Sequence, residues 1–222
     1  MGYGVRVKVW GEYASFNRPE MKVERVSYDV LTPSAARGIL EAIYWKPAIR
    51  WIIDYITVLK MIKFENIRRN ERLNAKISQQ KAKSAYQGKK VEGLYQITGQ
   101  DNVAQRSALV LKDVAYVIEA HFEMTSFSSI EDTEEKHYNI AVRRIRKGQY
   151  FHHPYFGCRE FPVQFAWAEE TELSCYQNTE HDLGYMLWDL DFADDVTPIF
   201  FRPLMKDGRI EVPDLKKGGG IR

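Results

Sequence analysis

An α+β fold is predicted by three features of this chain. Apolar and polar residues alternate through "GVRVKVW" and again through "ALVLKDVAYVIEAHFEM", the period of half-buried strands. Two other stretches, one opening at Thr32-Pro33 and one running from Ser129 to Gly148, repeat their apolar residues at helical spacing. The segments succeed one another as strand, helix, strand, insertion, strand, helix, strand. That β-α-β-β-α-β order is ferredoxin-like and is shared by RNA-recognition modules. The expected organisation is a ferredoxin-like, RNA-recognition-like N-terminal domain over 1–167. A basic insertion interrupts it near 66–106, and a small antiparallel β C-terminal part follows over 168–222.

The first strand carries Val5, Val7 and Val9 on one face and Arg6, Lys8 and Trp10 on the other. Thr32 suits a helix N-cap and Pro33 the first helical turn. Ala36, Ile39, Leu40 and Ile43 then share a face, and Pro47 ends the helix while holding Lys46 extended. "AIRWIIDYITVLKMIKFENI" reads as a long strand or a hairpin. From Asn66 to Arg106 apolar periodicity is poor. Nine bases, Arg68, Arg69, Arg72, Lys76, Lys81, Lys83, Lys89, Lys90 and Arg106, outnumber Glu71, Glu92 and Asp101. This region is expected to be a long mobile excursion, either solvated or in contact with phosphates.

In the strand that follows, Val110, Lys112, Val114, Tyr116, Ile118, Ala120 and Phe122 fall on one face. The stretch "SIEDTEEKHYNIAVRRIRKG" places acids first and bases last, as the helix dipole favours. Tyr138, Ala141, Val142 and Ile145 form its apolar stripe, with Lys136 and His137 in the early turns. A histidine beside an apolar stripe has a structural explanation as well as a chemical one, and this helix alone leaves both open. "GCREFPVQFAW" supplies the next strand. "LGYMLWDLDF", "TPIFFRPLM" and "KDGRIEVP" supply short ones, with Asp207-Gly208 as a turn. "DLKKGGGIR" reads as a flexible basic tail.

With 222 residues the chain can bury a sizeable core, and 45% hydrophobic with 28% charged residues is ordinary globular composition. A net charge of +2 does not by itself announce a nucleic-acid partner. The alternating N-terminus argues against an export signal, and Arg50, Asp54 and Lys60 break the longest apolar region, which argues against a membrane span. Two cysteines are too few for a disulfide framework or a four-cysteine zinc site, and a cytoplasmic setting is expected. No phosphate-binding or dinucleotide glycine motif is present. His152-His153 and the aspartates 189, 191, 194 and 195 lack metal-ligand spacing, so no metal and no cofactor is expected.

Proton-transfer and cationic groups remain: His137, Lys136, Tyr44 and several arginines. They suit metal-independent RNA cleavage, in which the RNA supplies its own nucleophile, the 2′-hydroxyl. A base takes that proton, an acid protonates the leaving 5′-oxygen, and a cation stabilises the crowded phosphorane.

The segments "GILEAIYWKPAIRW", "EEKHYNI" and "FGCREFP" together resemble the CRISPR-associated Cas-five family, in its subtype I-C branch. The resemblance runs from "VKVWGEYASF" to "MKDGRIEVP". It implies the ferredoxin-like domain and small β-rich end already described. It also implies an endoribonuclease that cuts precursor CRISPR RNA near the base of the repeat hairpin without metal. The enzyme then stays with the 5′ handle, beside the backbone and large subunits of a type I-C Cascade complex. The alternative is a non-catalytic subunit that only binds the handle. The family's catalytic trio corresponds to Tyr44, Lys136 and His137. Candidate RNA contacts are Arg37, Lys46, Arg143, Arg144 and Arg159 near the matched motifs, and Lys81, Lys83, Lys89 and Lys90 in the basic stretch.

Overall fold

The computed structural model of the chain describes residues 3–21, 23–72, 78–91, 103–191 and 196–214. Lys76, Glu92, Asp101, Asp194, Asp195 and the C-terminal tail therefore lie outside the described residues. The first strand, β1 (Gly4–Ala14), buries Val5, Val7 and Val9 and leaves Arg6, Lys8 and Trp10 half-buried, as its alternation predicts. After the two-residue β2 (Arg25–Val26) comes α1 (Pro33–Ile43). Thr32 caps it by accepting the Ala35 N–H at 3.3 Å, and Ala36, Ile39, Leu40 and Ile43 form its buried face.

The next region resolves the choice between strand and hairpin. β3 (Ile49–Val58) and β4 (Phe64–Arg72) both run antiparallel to one partner, β5 (Val103–Met124). Between them the chain stays beside β5: Leu59 N–H bonds to the Ala115 carbonyl and Lys63 O accepts the Lys112 N–H. It is one long run with an interruption.

The described part of the basic excursion is more ordered than its sequence predicts. Its ends are β4 and the start of β5, paired from Phe64–Leu111 to Arg72–Val103. Between them lies α2 (Gln79–Tyr86), which Ser78 caps and which buries no residue. β4 escapes a periodicity test because side-chain burial is not what holds it. The ladder to β5 supplies its hydrogen bonds. Ion pairs link Glu65 with Lys112, Glu71 with Arg25 and Arg106, and Arg69 with Glu160. Exposed pairs of this kind are individually weak, so the ladder dominates.

The helix expected from Ser129 begins later. α3 spans Glu134–Lys147, Thr133 is its N-cap, and Ser129 to Asp132 form a separate turn. Its dipole is complemented by Glu134 and Glu135 first and Arg144, Arg146 and Lys147 last. Gly148 ends it at φ 63°, a left-handed value that glycine adopts without a Cβ penalty. The buried line is His137, Ala141 and Ile145, with Tyr138 and Val142 half-buried beside it.

The remaining strands are β6 (Gln164–Trp167), β7 (Glu180–Asp182), β8 (Met186–Asp191), β9 (Thr197–Phe201), β10 (Leu204–Lys206) and β11 (Arg209–Glu211). Asp207 and Gly208 take positive φ in the β10–β11 turn, the conformation that a two-residue Asp-Gly hairpin requires. The main sheet has the order β6-β1-β5-β3-β11-β10-β7, with β2 and β4 also on β5, while β8 and β9 form a separate pair. The large sheet is antiparallel except where β2 meets β5. α1 packs against β3 and β8, α3 against β6, and the two helices touch each other. Their buried faces join those of β1, β3 and β5 in one apolar core.

Candidate active site

Tyr44 and His137 are 93 residues apart and meet where α1 ends and α3 begins. Tyr44 is the C-cap of α1, with φ −151° and ψ 119°; its N–H closes the helix on the Leu40 carbonyl at 2.8 Å. Trp51 Nε1 donates to the Tyr44 carbonyl at 2.8 Å. The Arg144 guanidinium stands 5.1 Å above the Tyr44 ring and donates to the Ile43 carbonyl at 2.7 Å. The Tyr44 backbone is thus held from β3 and its ring from α3.

His137 is in the first turn of α3, where its N–H bonds to the Thr133 carbonyl at 3.2 Å. Its side chain is only 2% exposed and packs edge-on to Phe122 of β5. Nδ1 is 2.7 Å from Tyr44 Oη. Nε2 faces Asp132 Oδ1 at 3.4 Å, an ion-pair distance, yet makes no well-formed hydrogen bond. Lys136 projects to the same carboxylate. Its Nζ donates to Asp132 Oδ1 at 3.2 Å and to the Glu131 carbonyl at 3.1 Å. Adjacent helical residues point about 100° apart, and here both reach one oxygen.

Burial pushes the His137 pKa below its ordinary value of 6.5. Lys136 and Lys46 push the same way, and Asp132 opposes them. The imidazole is therefore neutral at pH 7 and available as a proton acceptor. Burial raises the Tyr44 pKa, against the pull of Arg144, so the phenol keeps its proton. Hydrogen bonds from the Ser129 backbone and hydroxyl, then from Lys136, hold the Asp132 pKa well below the carboxylate range. Asp132 is the member that sequence reasoning missed; the only trace of it there was a Ser-x-x-Asp turn one residue before the N-cap. The carboxylate facing the imidazole is Asp132, whereas Glu134 and Glu135 are exposed.

The candidate RNA contacts divide by what already holds them. Lys46 is exposed and its charge acts on His137, Arg143 is exposed on α3, and Arg159 is exposed on the loop before β6. Arg144 is committed to Ile43 and Tyr44. Arg37 is engaged by Asp189 through two nitrogens and lies 3.6 Å from Glu41, so its charge is already neutralised by carboxylates. Lys81 and Lys83 are exposed on α2, and Lys89 and Lys90 are exposed just after it. Among the described residues, no three His, Cys, Asp or Glu side chains gather as a metal-holding cluster.

A phenol and a neutral imidazole stand in hydrogen-bond contact, with an ammonium beside them on an α+β scaffold, a set of groups suited to acid–base chemistry next to a positive charge. Residues 4–213 match the family described as CRISPR-associated protein (Cas_Cas5). The chain is 54% identical over 218 residues to the CRISPR pre-crRNA endoribonuclease Cas5d of Mannheimia succiniciproducens, covering 96% of each. It is 40% identical over 228 residues to the protein of the same name from Thermus thermophilus, covering 94% of this chain and 91% of the relative. A crystallised CRISPR-associated protein superposes with a TM-score of 0.70 at 24% identity, over 97% of this chain and 94% of that one. A functionally uncharacterised Streptococcus mutans protein does so at 0.68 and 21%, over 97% and 95%. At such identities these two likenesses speak for the fold alone. The chain belongs to the CRISPR-associated Cas5 family, in its Cas5d branch of subtype I-C systems.

Proposed function

We propose that this chain is an endoribonuclease that cuts precursor CRISPR RNA within its repeats, by attack of a 2′-hydroxyl and without metal. The names of its 54% and 40% identical relatives support the activity. The observation that carries the mechanism is the 2.7 Å contact between Tyr44 Oη and His137 Nδ1 with Lys136 adjacent. The 2′-hydroxyl gives its proton to Tyr44 Oη as the Tyr44 proton passes to His137 Nδ1. The 2′-oxygen bonds to phosphorus, and the bond to the 5′-oxygen breaks. Lys136 neutralises charge on the non-bridging oxygens, and the departing 5′-oxygen takes a proton from water. His137 then returns its proton to solvent.

The RNA contacts assigned to Lys46, Arg143, Arg159 and the lysines 81, 83, 89 and 90 are supported by their exposure. Arg144 serves the site by packing on Tyr44, and Arg37 contributes by fastening α1 to Asp189. The product stays bound by its 5′ handle within a type I-C interference complex of backbone and large subunits, in the cytoplasm; family membership supports this placement. No helix among the described residues is long and apolar enough to cross a membrane. The ferredoxin-like reading of 1–167 is supported by the order β6-β1-β5-β3 with helices between β1 and β3 and between β5 and β6. The division at 168 is supported by the separate β8–β9 pair, although β7, β10 and β11 extend the main sheet.

The test is to incubate the purified protein with its repeat RNA in EDTA. Cleavage is expected to persist and to leave a 2′,3′-cyclic phosphate and a 5′-hydroxyl. Loss of cutting in chelator, restored by magnesium, would overturn the mechanism.

A further inference from the structure

Asp132 stands one residue before the N-cap of α3, and its two oxygens have different tasks. Oδ2 is anchored by two donors from Ser129, the N–H at 3.1 Å and the hydroxyl at 2.9 Å. Oδ1 takes Lys136 Nζ at 3.2 Å and faces His137 Nε2 at 3.4 Å. On the far side of the imidazole, Nδ1 meets Tyr44 Oη. Phenol, imidazole and carboxylate therefore stand in line, with the carboxylate fixed by its own turn.

We propose that Asp132 is a positioning residue of this site, one that holds His137 as the Nε2–H tautomer and stabilises the imidazolium formed during cleavage. The proposal rests on the endoribonuclease reading and deepens it. A neutral imidazole carries one N–H and one lone pair. A lone pair aimed at a carboxylate is repelled, whereas an N–H is attracted. Nε2 therefore keeps the hydrogen, and Nδ1 is left to accept the Tyr44 proton. The arrangement follows the logic of a nucleophile–histidine–carboxylate triad with the two ring nitrogens exchanged. The 3.4 Å separation suits a resting site, since catalytic hydrogen bonds are often long until substrate is bound.

The groups facing His137 are Tyr44 at the end of α1, Lys46 just beyond it, Phe122 of β5, and Asp132 and Lys136 at the start of α3. Of these only Asp132 carries negative charge to favour the imidazolium; Lys46 and Lys136 oppose it. Arg144 stands over Tyr44 and also disfavours additional positive charge there. Without Asp132 the proton accepted at Nδ1 would create a buried cation beside cations.

The experiment uses Asp132→Asn in the full chain. Nitrogen NMR of His137 is expected to show Nε2 protonated and Nδ1 unprotonated in the wild type. The variant is expected to show a tautomer mixture and a lower imidazole pKa. Single-turnover cleavage of repeat RNA should fall by about 10- to 10³-fold. The acid limb of its pH–rate profile should move to lower pH, with RNA affinity within about twofold. Ser129→Ala, which frees only the anchor, should produce a smaller change in the same direction and serves if Asp132→Asn fails to fold. A purely structural role would lower the plateau without moving the limb or the tautomer, and that result overturns the proposal. A variant faster than wild type also overturns it, because the carboxylate would then be occupying the place of the phosphate. If the wild type cuts no RNA, the endoribonuclease reading fails, and the NMR still decides whether Asp132 sets the tautomer.

Discussion

His137 is neutral because it is buried, and buried beside a phenol because α1 ends one residue before Tyr44. That residue-scale fact has kinetic and thermodynamic consequences. His137→Ala should slow single-turnover cleavage by about 10²–10⁴-fold, the usual scale for acid–base groups, with little change in RNA affinity. Tyr44→Phe retains the ring under Arg144 and removes only the hydroxyl, so its rate loss isolates the relay. Equal rates for both variants and the wild type would remove these residues from the mechanism. The thermodynamic consequence concerns pH. The folded His137 pKa lies below the unfolded value of about 6.5, so the unfolded chain binds the extra proton first. The stability contributed by keeping His137 neutral is complete above that pH and is lost as pH falls toward the folded pKa. Melting temperatures between pH 7.5 and 5.5 should therefore drop more steeply in the wild type than in His137→Gln. Parallel curves would contradict the burial effect.

At the scale of elements, what was legible in the sequence was what side-chain burial writes into it. β1 and α1 alternate or repeat because each has one buried face, and the sequence places both. It places β5 too, but Val114 to Ile118 are buried without a break, and Lys112, expected on the Val110 face, is exposed beside Asp113 with its positive φ. The exposed arm was not legible: β4 holds its place through the ladder to β5, and α2 buries nothing. The same distinction runs through the site. Tyr44, Lys136 and His137 stand in motifs that a family resemblance can match, whereas Asp132 acts through a turn whose geometry no spacing rule reports. The start of α3 joins the two levels, since Thr133 accepts the Lys136 N–H at 3.2 Å. Thr133→Ala should cost about 1 kcal/mol of stability and slow cleavage as well, because the same turn carries Lys136 and His137. The α2 arm should behave oppositely. Neutralising Lys81, Lys83, Lys89 and Lys90 together should weaken RNA binding and flatten the logarithmic salt slope by up to about 3, at roughly 0.7 per single-strand phosphate contact. The cut position should not move, because phosphate contacts orient RNA without reading bases. An unchanged slope would mean that the arm is solvated or meets a protein.

At the scale of the whole molecule, β5 is the central strand of the main sheet, the one on which β1, β2, β3 and β4 are registered. It pairs with β1 on one edge and with β3 and then β4 on the other. Its N-terminal half carries the basic arm, and its C-terminal half presents Phe122 to His137. Stability and catalysis should therefore separate along this one strand. Ile118 is fully buried, four residues before Phe122, and is paired with Val7 of β1 and Ile56 of β3. Ile118→Ala leaves a cavity expected to cost about 2–5 kcal/mol. For a chain of this size that lowers the melting temperature by roughly 4–20 °C, and cleavage measured well below the transition should stay near the wild-type rate. Phe122→Ala lies four residues further on and removes the ring against which both His137 and Trp51 pack. Trp51 in turn holds the Tyr44 carbonyl, so this variant loosens both ends of the Tyr44–His137 contact. It should lose stability on the same scale and also cleave more slowly at temperatures where it remains folded. Thermal melts paired with single-turnover rates check the contrast. If Ile118→Ala slows cleavage as much as Phe122→Ala while both are folded, the site depends on the rigidity of the sheet as a whole instead of on the ring beneath His137.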